Sequence, residues 1–235
     1  MVVGIRADSS KTLGTGHVNR CLIIAKLLKK KKIKSYFISK NIDKEIVKQL
    51  KNKNITFHKI RNFKEDEINK DSELTIKYIK LKKITHLIVD NYNLNFKWKK
   101  KVSNICKLIV IDDFFFKKTY CDIYINYHDS KKIMNKKKNF FKKDCKKLLG
   151  PKFSIIKPFR YLKKKKKIIF VFMGGVDKNN YTYDIMKFLN HNIFSKYKKI
   201  IMIGKFNRNK NQLIRFARDL KNFSKISDNY KNLYD

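Results

Sequence analysis

The sequence predicts an α/β protein in which parallel sheets carry helices on both faces, arranged as two domains with the second cut short. Three observations carry this reading. Short apolar runs, rich in branched residues, alternate along the chain with Lys-rich amphipathic stretches, the pattern of repeated strand–helix units. Four of the seven glycines fall in two short loops, Gly14 and Gly16 in one and Gly174 and Gly175 in the other, each between an apolar run and a helix-like stretch. Both prolines, Pro151 and Pro158, sit in one segment, GPKFSIIKPF, and a run of five lysines comes shortly after. Ring-restricted positions beside a charge run mark a linker.

Val2 to Ala7 reads as a buried strand and His17 to Lys32 as the helix after it. SYFIS (35–39) is a second strand, Asp43 to Lys53 a helix, and ITFHKI (55–60) a short third strand. Asp71 to Lys83 reads as helical. THLIVD (85–90) and KLIVID (107–112) are the clearest strands, each branched and ending in Asp, and DIYIN (122–126) is another. After the linker, IIFVFM (168–173) opens a second strand–loop–helix start. A helix from about Tyr181, a strand at IIMIG (200–204) and a helix near Asn211 to Asn222 follow. The domains are therefore expected at 1–150 and 167–235, joined by a linker at 151–166. A complete nucleotide-binding half has roughly five or six strands. The last segment holds about three strand–helix units, so that domain is expected to be incomplete.

The net charge of +40 suggests a nucleic-acid binder, but the charge is mostly Lys and is spread over the whole length. Base reading favours Arg forks, so a solvated lysine coat is the better reading, with weak attraction to polyanions at low salt. No specific nucleic-acid partner is expected. Cys21, Cys106, Cys121 and Cys145 show no CxxC spacing, and reduced, partly buried thiols in a cytoplasmic protein are expected. No apolar stretch approaches the ~20 residues of a membrane span, no zinc pattern is seen, and no signal peptide is expected. A monomer is expected.

In open parallel sheets, ligands sit beyond the carboxyl ends of the strands. The loop from Asp8 to Gly16 leaves such an end. So do Asp90-Asn91-Tyr92, Asp112-Asp113 and Gly174-Gly175, and the four segments should converge on one edge. Gly14, Thr15 and Gly16 would let a phosphate approach backbone N–H groups. His17 follows at the first turn of the helix. An ordinary imidazole pKa of about 6.5 suits a general base, and a helix N-terminus favours the free base. A capping or core histidine is the alternative. His58, His86, His128 and His191 are read as structural or exposed. Arg20, one turn after His17, either meets a phosphate or bridges to a carboxylate. Asp112 and Asp113 are either paired catalytic carboxylates or strand-end caps, and Asp90 has the same ambiguity. Tyr92 and Asn91 either bond a sugar or belong to a turn. Asp177, after Gly174 and Gly175, is placed to cap the next helix.

The run RADSSKTLGTGHVNRCLIIAKLL resembles the N-terminal signature of the PseG-type UDP-sugar hydrolases, roughly R-x-D-x-S-x-x-[IL]-G-x-G-H-x-x-R. IVDNYNL (88–94), VIDD (110–113), CDIYIN (121–126), LLGPKFSIIKPF (148–159) and FMGGVDKNN (172–180) occur in matching order, so the resemblance covers essentially the whole chain. It implies two Rossmann-like domains in a GT-B arrangement with the active site in the cleft. It also implies hydrolysis of UDP-2,4-diacetamido-2,4,6-trideoxy-β-L-altropyranose, a step of pseudaminic acid biosynthesis. His17 matches the catalytic histidine, which would activate water for attack with inversion, and Tyr92 matches a tyrosine near the sugar. No cofactor and no metal are implied. Gly14, Thr15, Gly16, Arg20, Tyr92, Gly174, Gly175 and Asp177 are the residues expected to touch substrate. Two departures stand out. The linker has Phe153 and Lys157 where the pattern has Tyr and Arg, and lysine cannot reproduce a guanidinium fork. The A-G-G-S-x-x-x-E-like segment of the second domain does not occur, so a fragment or truncated copy, inactive by itself, is one expectation. A GT-B glycosyltransferase using a related nucleotide sugar, and a non-catalytic polyanion-binding protein, are the competing readings.

Overall fold

The structure is a computed structural model. It describes residues 1–9, 16–60, 68–114, 117–128, 140–156, 167–204, 206–219 and 223–227. The chain divides into two compact units. One comprises Met1–Ser10 and His17–Lys157, the other Lys11–Gly16 and Pro158–Asp235.

The first unit is built on a sheet of seven strands. They are β1 (Val2–Ala7), β2 (Lys34–Ser39), β3 (Thr56–Lys59), β4 (His86–Asp90), β5 (Lys107–Ile111), β6 (Ile123–Asn126) and β7 (Lys146–Leu149). Their spatial order is β3-β2-β1-β4-β5-β6-β7 and every neighbouring pair is parallel. The order runs one way from β1 to β3 and the other way from β4 to β7. The crevice between β1 and β4 is therefore the topological switch point, where open α/β sheets bind their ligands.

Side chains alternate across β1 and β2, and each face recruits its own helices. Val3, Ile5 and Ala7 of β1 and Phe37 of β2 form one core with helix α1 (Gly16–Lys30) and helix α2 (Lys44–Asn52). Helix α1 contributes Val18, Cys21, Leu22 and Ala25, a helical stripe with period i, i+3, i+4, i+7. Lys29 and Lys30 lie in its last turn, where positive charge complements the helix dipole. On the opposite face, Tyr36, Ile38, Leu87 and Val89 pack with helix α3 (Ile68–Leu81) and helix α4 (Phe96–Ser103), through Tyr78, Ile79, Trp98 and Val102. Both α4 and β7 lie outside the elements expected from sequence. Lysines dominate the composition of each and hide a short apolar spacing. The start of α4 is fixed by the Asn95 side chain, which accepts the Trp98 N–H at 3.0 Å, an N-cap bond.

The second unit contains β8 (Ile168–Phe172), β9 (Lys198–Met202) and β10 (Phe223–Ser227), parallel in the order β10-β9-β8. It also has helix α5 (Tyr181–Leu189) and helix α6 (Lys210–Asp219). Val171, Met186, Leu189, Ile201, Ile203 and Leu213 form its core. On alternate positions of β8, Ile168, Phe170 and Phe172 remain partly exposed, at 38%, 47% and 38%. β10 was not expected from the sequence, which reads as helix up to about Asn222.

Gly204, just past β9, supports the loop after β8. A Cβ there would lie 2.2 Å from the Gly174 carbonyl oxygen and 2.4 Å from that of Gly175, while the Phe206 N–H donates to the Gly175 carbonyl at 2.9 Å. Backbone on both sides leaves no side chain to move aside. Gly204→Ala is expected to destabilise the second unit by about 1–3 kcal/mol, as overpacked sites do, read as an earlier unfolding transition. Gly16→Ala serves as the control, because among the described residues nothing beyond its own helix and chain neighbours lies within 4 Å of a Cβ at Gly16.

Candidate functional site

Of the four segments expected to converge, two, together with the described start of a third, lie at the carboxyl edge of the large sheet. Asp8 follows β1, Asp90-Asn91-Tyr92 ends β4, and Asp112-Asp113 follows β5. The fourth, Gly174-Gly175, follows β8 on the separate sheet of the second unit. Gly14 and Thr15 lie outside the described residues, whereas Gly16 opens α1.

One turn of α1 presents His17 and Arg20 together to the end of β4. His17 Nδ1 lies 2.6 Å from Asp90 Oδ1. Arg20 grips the same carboxylate with both arms of its fork, Nε to Oδ2 at 2.7 Å and Nη2 to Oδ1 at 2.7 Å. Its remaining nitrogen, Nη1, reaches Asp113 Oδ1 at 2.9 Å and also the Tyr127 hydroxyl. Of the two partners considered for Arg20, the structure therefore provides carboxylates, and the guanidinium acts as a brace. Bidentate charge-assisted bonds of this kind fix orientation as well as supplying energy. Tyr92 donates its hydroxyl to Asp113 Oδ2 and stands edge-on to the His17 ring, centroids 4.3 Å apart.

The electrostatics follow from this packing. Asp90 is fully buried and the His17 side chain is 13% exposed. Burial works against the Arg20 charge, but bonds to Asp90 and Asp113 outweigh it and hold the guanidinium protonated beyond its ordinary range. Burial and the bond to Asp113 push Tyr92 well above the usual phenol value and Tyr127 up to about 12. Both tyrosines thus remain neutral donors. Burial and the nearby Asp90 raise the Cys21 thiol well above its usual value, which removes it as a nucleophile. Arg20, Asp90 and Asp113 together carry one net negative charge. With Nδ1 donating to Asp90, the neutral imidazole has its lone pair on Nε2, and Nε2 makes no hydrogen bond among the described residues. A buried carboxylate that fixes one tautomer of a histidine base is the arrangement of catalytic triads.

Asp8 organises the neighbouring loops. Its Oδ1 accepts from Ser39 Oγ at 2.8 Å and from the Lys40 and Asn41 N–H groups at 2.6 and 3.1 Å, and Oδ2 accepts from Asn91 Nδ2 at 2.7 Å. One carboxylate thereby ties together the ends of β1, β2 and β4. Asn91 is thus a structural link. Asp112 accepts the Phe114 N–H at 2.9 Å, a turn-capping bond, so Asp112 and Asp113 do different jobs and do not form an acid/base pair. Asp177 accepts the N–H groups of Tyr181 and Thr182 at 2.9 and 3.0 Å. It caps α5, and those two N–H groups are occupied by the chain itself. Elsewhere, His58 stacks on Tyr78, ring centroids 3.8 Å apart, and His191 caps a single turn of 3₁₀ helix. Asp90 as the partner of His17, and Tyr127 as a partner of Arg20, are the site contacts that the sequence did not single out.

Asp113 makes a pH prediction. Burial would raise its pKa, but bonds from Arg20 and Tyr92 outweigh this and hold it below the usual carboxylate range. A carboxylate with a lower pKa folded than unfolded stabilises the fold above its unfolded value of about 3.9. That stabilisation is lost as pH falls through the folded value. Denaturant unfolding measured from about pH 5 to 2 is expected to show falling stability, with a shallower slope in Asp113→Asn. Identical slopes would remove Asp113 from the acid response.

No protein-family profile matches the chain. An uncharacterized protein of Methanocaldococcus jannaschii is 25% identical over 201 residues, covering 80% of this chain and 39% of that protein. The chain thus spans about two fifths of the length of the curated relative it matches. Among solved structures, MurG of Acinetobacter baumannii superposes with a TM-score of 0.58 at 14% identity, covering 98% of this chain and 67% of that one. A glycosyltransferase from Rickettsia africae gives 0.58 at 10% identity over 97% of this chain and 68% of its own. The UDP-GlcNAc 2-epimerase of Neisseria meningitidis, solved with UDP-GlcNAc bound, gives 0.53 at 12% identity over 97% and 72%. The fold is that of the GT-B enzymes. At these identities the likeness is one of fold. Among the described residues no helix is long and apolar enough to cross a membrane.

Proposed function

We propose that this chain acts in nucleotide-sugar chemistry and hydrolyses a UDP-linked 2,4-diacetamido-2,4,6-trideoxy sugar to the free sugar and UDP. The observation that carries the reading is the His17–Asp90 pair, 2.6 Å apart at the switch point of the sheet. In this reading His17 Nε2 takes a proton from water as the water oxygen bonds to the anomeric carbon. The bond from that carbon to the diphosphate oxygen breaks on the opposite face, and UDP leaves with the electron pair. UDP is a good leaving group, so one base suffices, and the product sugar is inverted. Asp90 fixes the ring and balances the imidazolium. The sequence-based expectation assigns the diphosphate to the glycine-containing run Gly14-Thr15-Gly16, because N–H groups at a helix start favour anions. Tyr92, already against the His17 ring, would border the sugar.

The fold similarity to glycosyltransferases supports a second reading, transfer of the sugar to an acceptor. One experiment separates them. The protein is mixed with the UDP-linked diacetamido sugar, without acceptor, and free UDP is followed by phosphorus NMR. Release of UDP supports hydrolysis. Release only after an acceptor is added supports transfer, and the absence of both overturns the proposal.

A further inference from the structure

We propose that a cavity of about 380 Å3 on the first unit, with Lys99 in its wall, binds a small carboxylate carried on an apolar body. The cavity lies beside the candidate site and shares Tyr92 with it. Lys99 is on α4, next to the fully buried Trp98, and is itself only 7% exposed. Among the described residues its ammonium makes no hydrogen bond and no ion pair. Arg6 and Arg20, also deeply placed, are by contrast each clasped by two carboxylates. A buried ammonium without a counter-ion is costly to maintain. Burial pulls the Lys99 pKa below the ordinary lysine value, against the attraction of Asp112. A ligand anion reaching Lys99 would relieve that cost.

The lining selects the kind of anion. Lys99, Lys117 and Lys118 outnumber the one carboxylate, Asp112, which is already engaged by the Phe114 N–H. The remaining wall is largely Leu94, Phe96, Ile111 and Phe114. A multiply charged phosphate would lose too much hydration against these groups. A carboxylate with an aromatic or aliphatic body would meet a cation at one end and apolar walls along its length, the usual make-up of a small-molecule site. Phe114 stands 5.0 Å from the Tyr92 ring, and Tyr92 stands 4.3 Å from His17. A ligand held here would therefore border the His17–Asp90 pair. The inference does not depend on the hydrolase reading, and its test uses no nucleotide sugar.

Benzoate is the probe and neutral benzamide its control, titrated calorimetrically into the full chain at about 0.15 M salt, where diffuse lysine attraction is screened beyond ~8 Å. The expected result is one saturable site, with benzoate binding at least about tenfold tighter than benzamide, the minimum for a charge-assisted contact. Lys99→Met should abolish that preference. Its thermal midpoint should hold or rise, because the buried charge is gone. Lys100→Met, on the exposed side of the same helix, should leave binding unchanged. Phe114→Ala keeps the ammonium and removes an apolar wall, so it should weaken benzoate several-fold even if Lys99→Met folds poorly. Equal affinity for benzoate and benzamide overturns the proposal. So does a preference that survives Lys99→Met, or one lost equally in Lys100→Met.

Discussion

His17→Ala is expected to lower UDP release by about 10²–10⁴-fold, the usual worth of a positioned general base, with the fold intact. Asp90 keeps its two bonds from Arg20 when the imidazole is removed, so no buried carboxylate is stranded. In the proposed hydrolysis the ring acts on water in the transition state and does not hold the nucleotide, so the loss should fall on kcat. Asp90→Asn tests the same idea from the other side. An asparagine amide can donate to Nδ1, which places the ring proton on Nε2 and removes the lone pair from the position where water must be activated. A triad whose aspartate is replaced in this way loses on the order of 10⁴-fold. Because Asp90 also clasps Arg20, that variant should unfold more easily as well. Arg20→Lys separates the two effects: it loses the fork but keeps the His17–Asp90 pair, so stability should drop more than kcat. UDP release unaffected by His17→Ala would remove the ring from the reaction, whatever the behaviour of the other two variants.

The readable parts of the fold are those where one segment carries its own signal. THLIVD and KLIVID announce themselves because runs of three and four consecutive branched apolar positions, Leu87 to Val89 and Leu108 to Ile111, suit a strand buried on both faces. Helix α4 has the same right to be seen, with Trp98 and Val102 at i, i+4 and a capping Asn95, but lysines fill the positions between and around them. β7, KKLL, offers two apolar residues and becomes a strand only because β6 lies beside it. The site shows the same division. His17 stands out through its glycine-rich neighbourhood. Its partner Asp90 is 73 residues away, and only the strand order brings β4 next to β1. The choice of Arg20 between phosphate and carboxylate is likewise a matter of distance, settled when Asp90 and Asp113 arrive on adjacent strand ends. Gly204 ends an unremarkable strand run; the need for glycine there arises from another loop.

Beneath the site, the largest expected stability effect is at Asp71. Arg6 is completely buried and pairs with Asp8 at 2.7 Å and with Asp71 at 2.9 Å. Asp71 Oδ1 also accepts the indole N–H of Trp98, the only tryptophan, at 2.8 Å, and the Thr75 hydroxyl at 3.3 Å. Burial opposes the Arg6 charge, yet the two carboxylates more than compensate and raise its pKa. Asp71→Ala would leave a buried guanidinium with one partner and a buried indole with none. Breaking a buried pair from one side costs about 3–5 kcal/mol, a large part of the ~5–15 kcal/mol that stabilises a typical domain. Replacing both partners with apolar residues, Arg6→Met with Asp71→Leu, removes the stranded guanidinium and leaves Asp8 its donors from Ser39, Lys40, Asn41 and Asn91, so the double variant should be more stable than Asp71→Ala alone. Trp98 fluorescence during urea unfolding reads both. The consequence reaches the site through Asp8, which faces Arg6 on one side and holds the ends of β2 and β4 on the other. Asp71→Ala should therefore loosen the loop carrying Asn91 and Tyr92 before it unfolds the sheet, visible as faster amide exchange there in mild urea. A cost below about 1 kcal/mol, the scale of an exposed ion pair, would mean that the cluster contributes no more to stability than a surface contact.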